Sequence, residues 1–178
     1  LILGEPKGFI RAVGSYQWAI MTTVFAISHV AYLLMLPADQ NASGGGVGLV
    51  LYLVFLTQFN DVAQYIWGKK FGERKIVPTI SPNKTWAGFL GGVATTTLLG
   101  GLLAPWLTPM SFWQGLAAGL LIGCAGFVGD LTISAVKRDL RIKDTSQLIP
   151  GHGGILDRID SLMYTAPLFF HFLFYTSY

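Results

Sequence analysis

The feature that most limits what this chain can fold into is the placement of its charge. Its twelve Lys and Arg and nine Asp and Glu leave five long stretches almost bare. These run from Tyr16 to Leu36, Val47 to Trp67, Trp86 to Leu107, Phe112 to Val136 and Ile159 to Tyr178. Each is close to the ~20 mostly apolar residues that a helix needs to cross hydrocarbon. A soluble domain carries about 25% charged residues; this chain carries 12%, beside 52% hydrophobic ones. Backbone in lipid must satisfy its own hydrogen bonds, and helices do so within one segment. The expectation is an all-α integral membrane protein, a bundle of about five transmembrane helices, with residues 1–178 forming a single membrane-embedded domain. The chain opens Leu1-Ile2-Leu3-Gly4, with neither an initiator Met nor a signal-peptide pattern. Further N-terminal helices are therefore expected in the full protein.

The basic residues fix the orientation of such a bundle. Lys7 and Arg11 precede the first stretch. Lys69, Lys70, Arg74, Lys75 and Lys84 fill the second loop. Lys137, Arg138, Arg141, Lys143 and Arg158 fill the fourth. The first and third loops have none. Five spans put alternate loops on one side, so every Lys and Arg falls on the face that the positive-inside bias makes cytoplasmic. The N-terminus is then inside and the C-terminus outside. Glycines at three- or four-residue spacing, Gly115, Gly119, Gly123 and Gly126 among them, predict close helix packing. Cys124, the single cysteine, reads as a structural thiol.

Ser134 to Asp160 is where the charge is densest. Lys137, Arg138, Asp139, Arg141, Lys143, Asp144, Asp157, Arg158 and Asp160 lie there between two apolar stretches. Ionisable groups at membrane depth are costly and mark function by default. Asp130, Ser134, Lys137 and Arg138 fall at i, i+4, i+7 and i+8, one face of a helix. An ion pair of Asp130 with Lys137 would be the purely structural explanation. Asp157 and Asp160, at i and i+3, share a face at the start of the fifth stretch. One acid there is explained by the helix dipole; two beside Asp130 suggest a metal. Mg²⁺ takes one or two carboxylates plus substrate phosphates, which Asp130 and Asp157 would provide. In Gly151-His152-Gly153-Gly154, successive backbone N–H groups can cradle phosphate oxygens. Ser81, Asn83 or Thr85 can cap the third helix, whose N-terminus with Lys84 favours anions. Asn60, Asp61, Gln64 and Tyr65 form a polar face that could bind a base or sugar, pair with the basic loops or line a pore. The residues alone point to a polyphosphate and metal site at the membrane surface.

These segments together resemble the phosphatidate cytidylyltransferases, also called CDP-diacylglycerol synthases. The signature S-x-x-K-R-x4-K-D, a Pro turn, H-G-G and D-R-x-D is met by Ser134, Lys137, Arg138, Lys143, Asp144, Pro150, His152, Gly153, Gly154, Asp157, Arg158 and Asp160. Gly129-Asp130 matches the preceding Gly-Asp, Ser81 to Gly88 the S-P-x-K-T-x-x-G element, and Asp61, Tyr65 and Gly68 the D-x-x-x-Y-x-x-G segment. The match covers about residues 60–178. Asn83 stands where Lys is common, Gln64 replaces a small residue, and Thr145-Ser146-Gln147 differs from a Gly-containing triplet.

The resemblance implies that CTP and phosphatidate give CDP-diacylglycerol and pyrophosphate, with Mg²⁺ and with a second, monovalent cation left open. It implies catalytic roles for Asp130, Lys137, Arg138, Asp157 and Asp160, with Asp130 and Asp157 on the metal. Asp61, Ser81, Lys84, Thr85, Ser134, Lys143, Asp144, His152, Gly153, Gly154 and Arg158 would bind substrate. A phosphate monoester has a second pKa of about 6, so the nucleophile needs no strong base, and His152 reads as a phosphate donor. The implied partners are CTP, phosphatidate and membrane lipid, without nucleic acid; a homodimer stays open. The implied location is a bacterial inner membrane, with the site facing the cytoplasm. The competing readings are an ion-coupled transporter, a CTP-dependent enzyme acting on another lipid, and an inactive scaffold. A transporter would spread charge through the membrane depth, whereas here it gathers at one face.

Overall fold

The computed structural model describes residues 7–37, 44–142 and 156–178, and of Asp157 and Arg158 the backbone only. The first apolar stretch forms α1 (Phe9–Ile20) and α2 (Ala26–Met35), joined without a break by a π-helical turn at Met21–Phe25. Then come α3 (Gly45–Phe71), α4 (Trp86–Leu107), α5 (Phe112–Asp139), a single turn α6 (Leu156–Ile159) and α7 (Leu162–Ser177). Among the described residues four helices are long and apolar enough to cross a membrane: the continuous Phe9–Met35, α3, α4 and α5. This is an all-α membrane fold.

The fifth stretch behaves differently from the expectation. Its helix proper starts at Leu162 and has 16 residues, about 24 Å, against a hydrocarbon core of about 30 Å. Asp157 and Asp160 consequently do not share one helix. Asp157 belongs to α6, while Asp160 stands in the turn before α7. The contacts of α7 still place its two ends. Ser161 meets Asp61 on α3 at one end. At the other, Gln114 donates to the carbonyl of Thr176 at 3.2 Å and Tyr178 to that of Pro37 at 3.1 Å. So α7 runs from the level of the polar cluster to the opposite end of the bundle, and begins below the membrane surface.

Small residues bring α3, α4 and α5 together. A Cβ on Gly100 would come within 2.6 Å of the Gly115 carbonyl, and one on Gly119 within 2.6 Å of the Thr96 carbonyl. Those distances are below any real contact, so the glycine stripes are a backbone-to-backbone seam. The hydroxyl of Tyr52 donates into this seam, 3.0 Å from the Gly100 carbonyl and 3.2 Å from that of Gly115. Asn60, fully buried, ties three helices: its amide donates to the Gly123 carbonyl at 3.3 Å and accepts from Thr96 at 3.2 Å. Thr57 and Thr165 pair at 3.0 Å between α3 and α7. In lipid these polar bolts stand in for the hydrophobic drive that lipid tails remove.

Candidate active site

The second loop folds back on itself before α4. Ile76 donates to the Lys84 carbonyl at 3.1 Å and Trp86 to that of Arg74 at 3.0 Å, with one antiparallel bridge between Lys75 and Thr85. Of the three possible caps, Thr85 is the one used: its hydroxyl accepts from the Gly88 N–H at 3.1 Å. This leaves Ser81 in the loop as a backbone acceptor for Lys84 N–H at 3.3 Å. It also fixes Lys84 one residue before the cap, with its side chain turned into the bundle.

Lys84 is the hub of the described site. Its ammonium lies 2.5 Å from Asp130 Oδ2, 3.0 Å from Gln64 Oε1 and 5.5 Å from the centre of the Phe127 ring. One cation thus joins the loop to α3 and α5. Asp130 pairs with Lys84, not with Lys137 two turns along its own helix. Ser134 donates to the other Asp130 oxygen at 3.3 Å, as their i, i+4 spacing allows.

Two further carboxylates face the same space. Asp61 accepts from the Ser161 hydroxyl at 3.2 Å, and Asp160 accepts from the Ser161 N–H at 2.7 Å. Asp61 lies within electrostatic reach of Lys84, Asp130 and Asp160, and Asp160 within reach of Asp130, Lys137 and Lys84. Ser161 was not among the residues expected from the sequence. It follows D-R-I-D and looks there like an ordinary helix-start serine. Gly129 makes room for this junction, since a Cβ on it would come within 2.8 Å of the Asp160 carbonyl.

Arg138 reaches back across the site, its Nε donating to the Ile80 carbonyl at 3.2 Å. It fastens the end of α5 to the residue before Ser81. The structure therefore gathers Asp61, Lys84, Asp130, Ser134 and Asp160, with Thr85, Lys137 and Arg138 at the margin. Lys143, Asp144, His152, Gly153 and Gly154 lie outside the described residues, as do the side chains of Asp157 and Arg158.

The depth of the cluster follows from helix rise. Asp61 is 16 residues beyond Gly45 and Asp130 is 18 beyond Phe112, roughly 24 and 27 Å along their helices. Both therefore lie near one limit of a ~30 Å hydrocarbon core. Past Asp61, α3 continues to Phe71, roughly another 15 Å. Beside the cluster, between α3, the second loop and the start of α4, is a cavity of about 410 Å³. Asp61, Gln64, Tyr65, Lys69, Lys84 and Phe89 are among its walls. Three carboxylates, several cations and a cavity thus lie together at one membrane depth, a set of groups whose chemistry can hold phosphate oxygens through the cations and offers hard carboxylate oxygens beside them.

Comparison with known proteins agrees with this picture. A sequence model described as the cytidylyltransferase family matches residues 7–176. The chain is 52% identical over 178 residues to the uncharacterized protein YnbB of Escherichia coli strain K12, spanning 100% of this chain and 59% of that protein. It is 49% identical over 115 residues to a phosphatidate cytidylyltransferase of Synechocystis, spanning 64% of this chain and 39% of the relative. To a phosphatidate cytidylyltransferase of Staphylococcus aureus strain COL it is 34% identical over 154 residues, 85% of this chain and 59% of the relative. The chain thus spans less than two thirds of the length of these relatives. With the family match running through nearly all of its residues, the chain belongs to the cytidylyltransferase family.

Proposed function

We propose that this chain carries the site of a phosphatidate cytidylyltransferase, which transfers the cytidylyl group of CTP to phosphatidate and releases pyrophosphate. The observation that carries the reading is the Lys84–Asp130 contact. It joins the S-P-N-K-T segment to the Gly-Asp and S-x-x-K-R segment, two elements far apart in the chain, at one place and one depth. The relatives called phosphatidate cytidylyltransferase supply the reaction.

The chemistry asks little of a base and much of charge placement. An oxygen of the phosphatidate phosphate attacks the α-phosphorus of CTP. The bond from that phosphorus to its bridging oxygen breaks, and pyrophosphate leaves with the electron pair. Two polyanions must approach in line, so the rate depends on orientation and charge neutralisation. Lys84, Lys137 and Arg138 surround the space and offset phosphate charge. Asp61 and Asp160, fixed through Ser161, keep the start of α7 against α3. Lys143, His152 and Arg158, expected from the signature, would add donors.

Asp130 fits a metal ligand, with Asp157 as the second carboxylate expected from the sequence. The described donors are hard oxygens, which suit Mg²⁺. Among the described residues no three metal-binding side chains are grouped closely enough to hold an ion by themselves, so a Mg²⁺ here would need phosphate oxygens to complete its shell. Such an ion supplies positive charge to the triphosphate oxygens. The site would face the cytoplasm of a bacterial inner membrane, where basic residues and anionic headgroups meet.

The test is pyrophosphate release by the full-length protein in detergent with CTP, phosphatidate and Mg²⁺. Steady release that stops on chelation is expected. No release with any phosphatidate tested would overturn the proposal.

A further inference from the structure

We infer that the cavity between α3, the second loop and α4 receives the phosphate monoester of the lipid substrate, with Lys69 and Lys75 as the cations that hold it. The inference rests on the cytidylyl-transfer reading and adds a lipid subsite to it. Neither lysine belongs to the signature segments, yet both line the cavity. Lys69 comes from the last turn of α3. Lys75 comes from the second loop, where an antiparallel bridge ties it to Thr85. Its neighbours are held as well, Ile76 by the Lys84 carbonyl and Arg74 by the Trp86 N–H.

The level of the cavity favours a lipid phosphate. Its α3 wall runs from Asp61 to Lys69, about 12 Å along the helix. Asp61 lies near one limit of the hydrocarbon core, and the polar layer beyond that limit is roughly 5–7 Å thick. The cavity therefore spans the headgroup layer on that side. Tyr65, Trp67, Phe71 and Trp86 are exposed around it, as aromatic side chains are where helices cross the interface. Tyr65 is both exposed and part of the wall, so the mouth opens beside this aromatic belt. A lipid phosphate enters there without leaving its own layer, with its acyl chains still in hydrocarbon.

The charges divide the cavity into two ends. Asp61, Tyr65 and Lys69 fall at i, i+4 and i+8, one face of α3. At the inner end the Asp61 carboxylate repels phosphate, and Lys84 is already paired with Asp130. At the outer end the Lys69 ammonium lies 5.8 Å from the centre of the Tyr65 ring, turned back along the helix toward the cavity wall. Among the described residues neither Lys69 nor Lys75 forms an ion pair with a carboxylate. The positive-inside bias accounts for lysines anywhere in this loop. It does not account for two without carboxylate partners on the walls of one cavity. A phosphate monoester carries about −1.5 to −2 charges near neutral pH and three acceptor oxygens, which suits two ammonium groups. A phosphodiester headgroup brings a single charge and gains less.

The experiment measures equilibrium binding of radiolabelled dioctanoyl phosphatidate to the full-length protein in detergent without CTP, with dioctanoyl phosphatidylglycerol as the diester control. Wild type should bind phosphatidate about tenfold more tightly than phosphatidylglycerol. Lys69→Met and Lys75→Met should each weaken phosphatidate binding about tenfold, the scale of one lost charge-assisted hydrogen bond. The double variant should lose about 100-fold if the two act independently. Lys69→Arg, which keeps the charge, should stay within about threefold of wild type. In turnover, the KM for phosphatidate should rise in both Met variants while the KM for CTP stays within about threefold. Unchanged phosphatidate binding in the double variant would overturn the inference. So would a KM that rises for CTP alone, since the lysines would then serve the triphosphate. A wild type that binds phosphatidate with this selectivity but releases no pyrophosphate would instead overturn the cytidylyl-transfer reading and leave the lipid subsite standing.

Discussion

Lys84→Met tests the hub of the site. In the wild type the Lys84 ammonium faces Asp130 at 2.5 Å, with side chains 18% and 25% exposed, and Asp61 and Asp160 are near enough to feel its charge. Met preserves the length of the stem and its contact with Phe127, and removes the charge. Three carboxylates are then left together without their inner cation. Breaking a fully buried pair costs about 3–5 kcal/mol. Partial exposure screens this one, so a loss of about 2 kcal/mol is expected, or a Tm lower by about 4–8 °C at this chain length. The informative comparison is the double variant Lys84→Met with Asp130→Asn, followed by thermal unfolding in detergent and by pyrophosphate release. Removing both charges should restore at least half of the lost stability, since the uncompensated carboxylate goes with its partner. Turnover should stay at least ~100-fold down in all three variants, the scale expected when a charge aimed at the reacting phosphates is lost. A Lys84→Met protein as stable as wild type would refute the electrostatic argument. Turnover rescued in the double variant would show that Lys84 only holds the fold.

Other consequences are local. Thr85→Val keeps the shape of the cap and loses its oxygen, so it should cost about 1 kcal/mol, while Thr85→Ser should cost far less; thermal unfolding reads both. Asn60→Leu leaves the Gly123 carbonyl and the Thr96 hydroxyl without their shared partner, and should lower stability by about 1–3 kcal/mol. Ser161→Ala removes the hydroxyl that reaches Asp61 but not the backbone N–H bound by Asp160. It should lower kcat with little change in Tm, as expected for a residue that positions the start of α7.

What the sequence disclosed follows from how local each signal is. The spans set by hydrophobic length are legible: Trp86 to Leu107 forms α4 with both ends as expected, and Phe112 starts α5 after a Ser111 cap. The glycine stripes predicted close packing without naming the partners, and the structure pairs the two helices that carry them, α4 and α5. The start of the last helix was not legible. Hydropathy runs on through Ile159, but burial of Asp160 and Ser161 against α3 and α5 breaks the helix there. The partner of Asp130 was hidden for a similar reason. Spacing along α5 offers Lys137, whereas the fold of the 72–85 loop brings Lys84 across from another element. The contacts of Ser161 with Asp61 and of Lys84 with Gln64 become visible only once α3, α7 and that loop are in place.

The central claim is that the space around Lys84, Asp130, Asp61 and Asp160 moves a cytidylyl group, and the fate of two labels tests it most directly. The full-length protein is given phosphatidate, Mg²⁺ and CTP labelled with ³²P at either the α- or the γ-position, and the chloroform-soluble product is counted. The account predicts that the α-label enters the lipid and the γ-label remains in water as pyrophosphate, with both movements lost in Asp130→Asn. A γ-label in the lipid would mean phosphoryl transfer instead, and an α-label that never leaves the aqueous phase would contradict cytidylyl transfer altogether.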